Sequence, residues 1–76
     1  MPAEQPAWVL TRRVQIGARI RDARLYANLS QVDLGALVGL DHKTIHRIEH
    51  GTSDPSLGAL LHIARVTGVP ITELVR

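Results

Sequence analysis

Four times the chain places a residue suited to ending a helix shortly before one suited to starting the next: Asn28 then Ser30, Gly39 then Asp41, Gly51 then Asp54 or Ser56, Gly68 then Pro70. Asn and Gly enter the left-handed conformation that closes a helix, Ser and Asp cap exposed backbone N–H groups, and Pro preorganises a first turn. Such punctuation divides the chain into one long helix and four short ones. None of the short ones can bury an apolar face alone, so all must share a core.

Length and composition agree with a single core. Seventy-six residues without repeats cannot divide their apolar material, 45% of the chain, between two domains. A domain this small buries only about 60% of its unfolded surface, which leaves little room for an enclosed substrate pocket and argues against an enzyme. Cysteine is absent, so packing must do the work of disulfides and thiolate metal sites. The start, MPAEQPAWVL, lacks a basic region followed by a long apolar run, and no stretch approaches the roughly 20 apolar residues that span a bilayer. A soluble cytoplasmic protein is expected, with no membrane association.

The helices follow from spacing. Between Thr11 and Ala27, Val14, Ile16, Ile20 and Ala23 recur at helical intervals. Ser30 begins the second helix, with Asp33 three residues on completing a capping-box-like pair, and Leu29 is placed to staple onto Leu34. Leu34, Leu37 and Val38 form its expected inner face. From His42 to His50 only Ile45 and Ile48 are apolar, whereas His42, Lys43, His46, Arg47 and His50 share the opposite side. Helix four starts at Asp54 with Pro55 or at Ser56, and Leu57, Leu60, Leu61, Ile63 and Ala64 are expected to face inward. Ile71 to Val75 forms a last short helix whose Ile71 and Leu74 close the core.

Net charge is only +2, but eight of the nine basic residues are arginine and they cluster: Arg12, Arg13, Arg19, Arg21 and Arg24, then Lys43 and Arg47. This field suits phosphate or an acidic partner, and it equally describes ordinary solvated helix faces. Histidines at i and i+4 could share a metal, yet successive steps of four rotate by about 40°, so His42 and His50 diverge. No metal or other cofactor is expected. Three histidines on one face would add positive charge below about pH 6.5 and favour a polyanion there. No nucleophile lies beside a base; Ser30, Ser56, Asp41 and Asp54 read as helix caps, so no catalytic residue is assigned.

Two short helices joined by a tight glycine turn form the helix-turn-helix arrangement. The segment QVDLGALVGLDHKTIHRIEH, residues 31–50, resembles the helix-turn-helix of the phage Cro and repressor-type family, the xenobiotic response element-type regulators. IGARIRDAR, SQVDL, IHRIEHG, DPSL and LLHIARVTGV also stand in the family's order, so the resemblance covers residues 12–76 and leaves 1–11 as an N-terminal arm. It implies an all-α, five-helix, lambda repressor-like DNA-binding domain. Gly35 takes the small-residue position of a close helix crossing.

The resemblance implies base contacts from His42, Lys43, His46 and Arg47, a phosphate contact from Gln31, and an ion pair between Arg24 and Glu49. Side-chain chemistry fits, since Lys, Arg and His can all donate to guanine O6 and N7. The Thr44 hydroxyl suits either phosphate or the helix end. Ala23 and Thr67 stand where the family more often has larger apolar residues. Trp8, Val9 and Leu10 either pack back as compensation or offer a partner surface. The implied function is sequence-specific binding of double-stranded DNA by a transcriptional regulator, a repressor acting as a homodimer on an inverted repeat, with room for a regulatory protein partner. The alternative is an interaction module on the same fold, an antitoxin or adaptor component whose main partner is a protein.

Overall fold

In the computed structural model, which describes residues 5–76, the chain forms five helices: α1 Ala7–Tyr26, α2 Gln31–Val38, α3 His42–Glu49, α4 Leu57–Thr67 and α5 Ile71–Leu74. Their ends follow the sequence punctuation. Asn28 (φ 59°), Gly39 (77°), Gly51 (72°) and Gly68 (75°) all take positive φ. Ser30 Oγ accepts from Asp33 N at 2.9 Å while Asp33 Oδ2 accepts from Ser30 N at 3.0 Å, a complete capping box. The bond from the Ser30 backbone first, with the Ser30 side chain second, holds the Asp33 carboxyl below its ordinary pKa. Helix α4 is capped by Ser56, whose Oγ accepts from Ala59 N, because Asp54 is engaged by Arg13.

Helix α1 begins four residues before the expected Thr11. The run AWVLT contains no breaker, so the helix extends back to Pro6, whose carbonyl accepts from Val9 N and Leu10 N. Trp8, Val9 and Leu10 are therefore helical rather than part of an arm, and residues 1–4 of that arm lie outside the described residues. Trp8 is 68% exposed and does not fill the core.

Each helix places one aliphatic side chain at the centre: Ile20, Leu34, Ile45, Ile63 and Leu74 are all essentially inaccessible. Thr67 is buried too, because its hydroxyl donates to the Ile63 carbonyl at 2.7 Å and accepts from Val69 N at 3.3 Å. A polar residue can thus occupy an apolar position at no cost in unmet hydrogen bonds. Ile16, Leu29, Leu40, Leu60, Ala64, Val66 and Val69 pack around this centre.

Four residues expected inside are exposed: Val14, Leu37, Leu57 and Leu61. At about 100° per residue, Leu60, Ile63, Ala64 and Thr67 define one stripe on α4, and Leu57 and Leu61 lie beyond its edge. Leu37 is likewise about 100° from the direction shared by Leu34, Gly35 and Val38. Apolar character was therefore a poor guide to facing where a helix is apolar on more than one side. Val14 lies against the Gly51 turn and is only partly covered by it.

Candidate nucleic-acid interface

Helix α3 is built so that one side is fixed and the other is free. Ile45, Ile48 and Glu49 are buried, whereas His42, Lys43, His46, Arg47 and His50 are exposed and Thr44 is half-buried. Asp41 starts the helix by accepting from Thr44 N at 2.7 Å. That bond chiefly, with Arg47 and His42 nearby, holds the Asp41 carboxyl below its ordinary pKa. The Thr44 amide is thus committed to the cap, and its side chain also bonds toward the Asp41 carboxylate. At the other end, the His50 backbone N–H donates to the His46 carbonyl.

Close backbone contacts hold α3 in place. An added Cβ on Gly35 would run into the carbonyl oxygen of Leu40, so the turn lies directly on α2. One on Gly17 would collide with the Ile48 carbonyl and come within 2.7 Å of the Glu49 oxygen, so α1 crosses the end of α3 with no side chain between. Gly51 then turns with φ 72° against Val14, where a Cβ would lie 2.7 Å from Val14 Cα. Arg13 fastens the same turn, its Nε donating to Gly51 O at 2.7 Å and its Nη1 to Asp54 Oδ1 at 3.0 Å. The resemblance pointed to Gly35 alone; nothing in the spacing of glycines marks Gly17 and Gly51 as contacts between α1 and α3.

Beneath the exposed face, Arg24 and Glu49 form a buried ion pair, Nε to Oε2 at 2.6 Å and Nη2 to Oε1 at 3.0 Å, and Arg24 Nη1 also donates to Leu29 O at 3.0 Å. The Glu49 bond raises the Arg24 pKa, with burial opposing it. Gln31 joins this group rather than pointing outward: its Nε2 donates to Glu49 Oε1 at 3.2 Å and faces His46 Nδ1 at 3.5 Å. The Gln31 amide nitrogen is thus engaged within the protein, between α2 and α3. Among the described residues no group of three His, Asp or Glu side chains could hold a metal, and no helix is long and apolar enough to cross a membrane. The histidine ladder resolves into a pair, His46 and His50, with ring centroids 4.0 Å apart.

A short helix locked against its neighbour by a glycine turn, its outer face rich in hydrogen-bond donors, is the geometry that a DNA major groove accepts. Residues 15–76 match the family described as Helix-turn-helix domain. The chain belongs to that family. Among curated relatives of this helix-turn-helix protein, the cryptic phage CTXphi transcriptional repressor RstR of Vibrio cholerae is 36% identical over 58 residues, 76% of this chain and 52% of RstR. The uncharacterized HTH-type transcriptional regulator MJ0272 of Methanocaldococcus jannaschii is 38% identical over 56 residues, 74% of this chain and 85% of its own. A third relative, the regulator y4dL of Sinorhizobium fredii, is matched over 29% of its length, so the chain spans about half of RstR and less than a third of y4dL.

Solved structures agree on the fold. The restriction-modification controller protein C.AhdI from Aeromonas hydrophila superposes with a TM-score of 0.78 at 33% identity, covering 84% of this chain and 97% of that one. The hypothetical transcription factor NHTF from Neisseria gives a TM-score of 0.79 at 25% identity over 100% of this chain and 86% of its own. The helix-turn-helix unit here is α2, the Gly39 turn and α3.

Proposed function

We propose that this helix-turn-helix protein is a DNA-binding transcriptional regulator that acts in the cytoplasm as a repressor, binding an inverted-repeat operator as a homodimer. The observation that carries the reading is the division of α3: Ile45, Ile48 and Glu49 are buried while His42, Lys43, His46 and Arg47 project from its outer face. In this reading His42, Lys43, His46 and Arg47 meet base edges, the Thr44 hydroxyl and the backbone at the head of α2 meet phosphates, and Gln31 serves indirectly. No catalytic role is part of it.

Self-association is supported by reach and by surface. An eight-residue helix spans only a few base pairs, and a second copy one DNA turn away, about 34 Å, multiplies discrimination. Leu57 and Leu61, one helical turn apart on α4 and 67% and 51% exposed, supply unpartnered apolar surface for pairing. Selection of bound sequences from a random duplex pool tests the proposal directly. An inverted repeat with fixed spacing is expected, and the absence of any enriched motif would overturn it.

A second reading, in which a protein is the main partner, draws on a different feature. Trp8 stands exposed beside an apolar groove of about 310 Å³ whose walls include Val9, Ile16 and Leu60. The two readings separate on salt. A DNA reader loses affinity steeply between 50 and 200 mM salt, by about a thousandfold or more for six phosphate contacts; apolar docking on Trp8 does not.

A further inference from the structure

The contacts around His46 fix which of its ring nitrogens carries the proton. Glu49 Oε1 can only accept, so the Gln31 atom 3.2 Å from it must be the amide nitrogen, which settles the orientation of that amide. Glu49 is itself held at both oxygens by Arg24. The second hydrogen of the Gln31 amide is thereby directed to His46 Nδ1, 3.5 Å away. A donor faces that nitrogen, so Nδ1 carries the lone pair and Nε2 the hydrogen. The contact is long, and its role is orientation more than binding energy.

His50 is fixed the opposite way. Its Nδ1 lies 2.8 Å from the His46 carbonyl oxygen, which can only accept, so His50 holds its proton on Nδ1 and keeps a lone pair on Nε2. The two rings stack with centroids 4.0 Å apart and planes inclined by 32°. His46 is therefore held on one edge by an amide anchored to a buried ion pair and on one face by a ring anchored to its own backbone.

We propose that Gln31 and His50 are positioning residues that make His46 a one-way hydrogen-bond donor, so that it selects a base-edge acceptor such as guanine O6 or N7 and rejects the amino group of cytosine or adenine. The inference rests on the reading that His46 faces base edges. A histidine free to exchange tautomers could accept from those amino groups as readily as it donates to guanine. Discrimination at this position thus arises two residues away from the base, in the buried Arg24–Glu49 pair and the Gln31 amide that it orients.

Two measurements on the full chain test this. Long-range proton–nitrogen NMR at pH 8 should show the unprotonated ring nitrogen as Nδ1 in His46 and Nε2 in His50; the same tautomer in both, or a mixture in His46, overturns the proposal. Binding to the selected operator and its single-base variants then compares His46→Ala, Gln31→Met and the double variant. Gln31→Met leaves the Arg24–Glu49 pair in place. It should reduce the preference for the base read by His46 about fivefold or more, leave preferences at other positions unchanged, and add nothing in the His46→Ala background. A uniform loss across all bases makes Gln31 a phosphate contact and overturns the proposal. If His46→Ala changes a base preference and Gln31→Met does not, positioning fails while His46 remains a reader. If His46→Ala changes none, both fall.

Discussion

Replacing Arg24 with alanine should come close to unfolding the domain, and the structure sets the scale. The Glu49 side chain is completely inaccessible, and two of its three hydrogen-bond donors belong to Arg24. Removing one member of such a pair leaves a buried charge that costs about 3–5 kcal/mol. The Leu29 carbonyl also loses its Arg24 donor, worth about 1 kcal/mol. At about 0.05–0.15 kcal/mol per residue, a domain of this length has roughly 4–11 kcal/mol in total. The loss is therefore a third of the stability or more.

Each kcal/mol moves the melting temperature of so small a domain by about 4–8 °C, so circular dichroism should record a fall well over 10 °C. A double variant, Arg24→Met with Glu49→Met, removes both charges and keeps most of the packing volume; it should recover the larger part of that loss. A single variant melting within about 3 °C of the parent, or a double variant no better than the single, would refute the assignment of the energy to an uncompensated Glu49 charge.

Other expectations follow from the same geometry. Lys43→Glu with Arg47→Glu should abolish DNA binding in a mobility-shift assay without lowering the melting temperature, since both side chains are exposed. Gly17→Ala should destabilise by about 1–3 kcal/mol or more in urea unfolding, because its methyl group meets the Ile48 and Glu49 carbonyls, whereas Gly39→Asn, where a Cβ meets nothing within 4 Å, should cost far less. The Asp41 carboxyl has a depressed folded pKa, so its contribution is present above the unfolded value of about 3.9 and is lost as pH falls through the lower folded value. Urea midpoints at pH 5 and pH 3 should accordingly differ less in Asp41→Asn than in the parent.

Helix ends were legible in the sequence because capping is local: Ser30 and Asp33 satisfy each other three residues apart, and Asn28, Gly39, Gly51 and Gly68 mark conformations that other residues resist. The start of α1 was not, because no residue between Pro6 and Thr11 signals a beginning. Facing was legible on α3, where only two residues are apolar, and not on α4, where leucine occurs on several sides. Spacing could place His42, Lys43, His46 and Arg47 on one face. It could not show that the Gln31 amide turns toward Glu49, since that depends on how α2 sits against α3.

The glycine contacts at Gly17 and Gly51 make α1 and α3 mechanically one piece. At Gly17 backbone rests on backbone with no side chain between, at Gly51 the turn rests on the backbone and side chain of Val14, and Arg13 bolts that turn. The exposed face of α3 is therefore held directly to α1. Its orientation follows α1, twenty residues long, whose first turn leaves Trp8 exposed. A contact made at Trp8 would thus be made to the same piece that carries the α3 histidines.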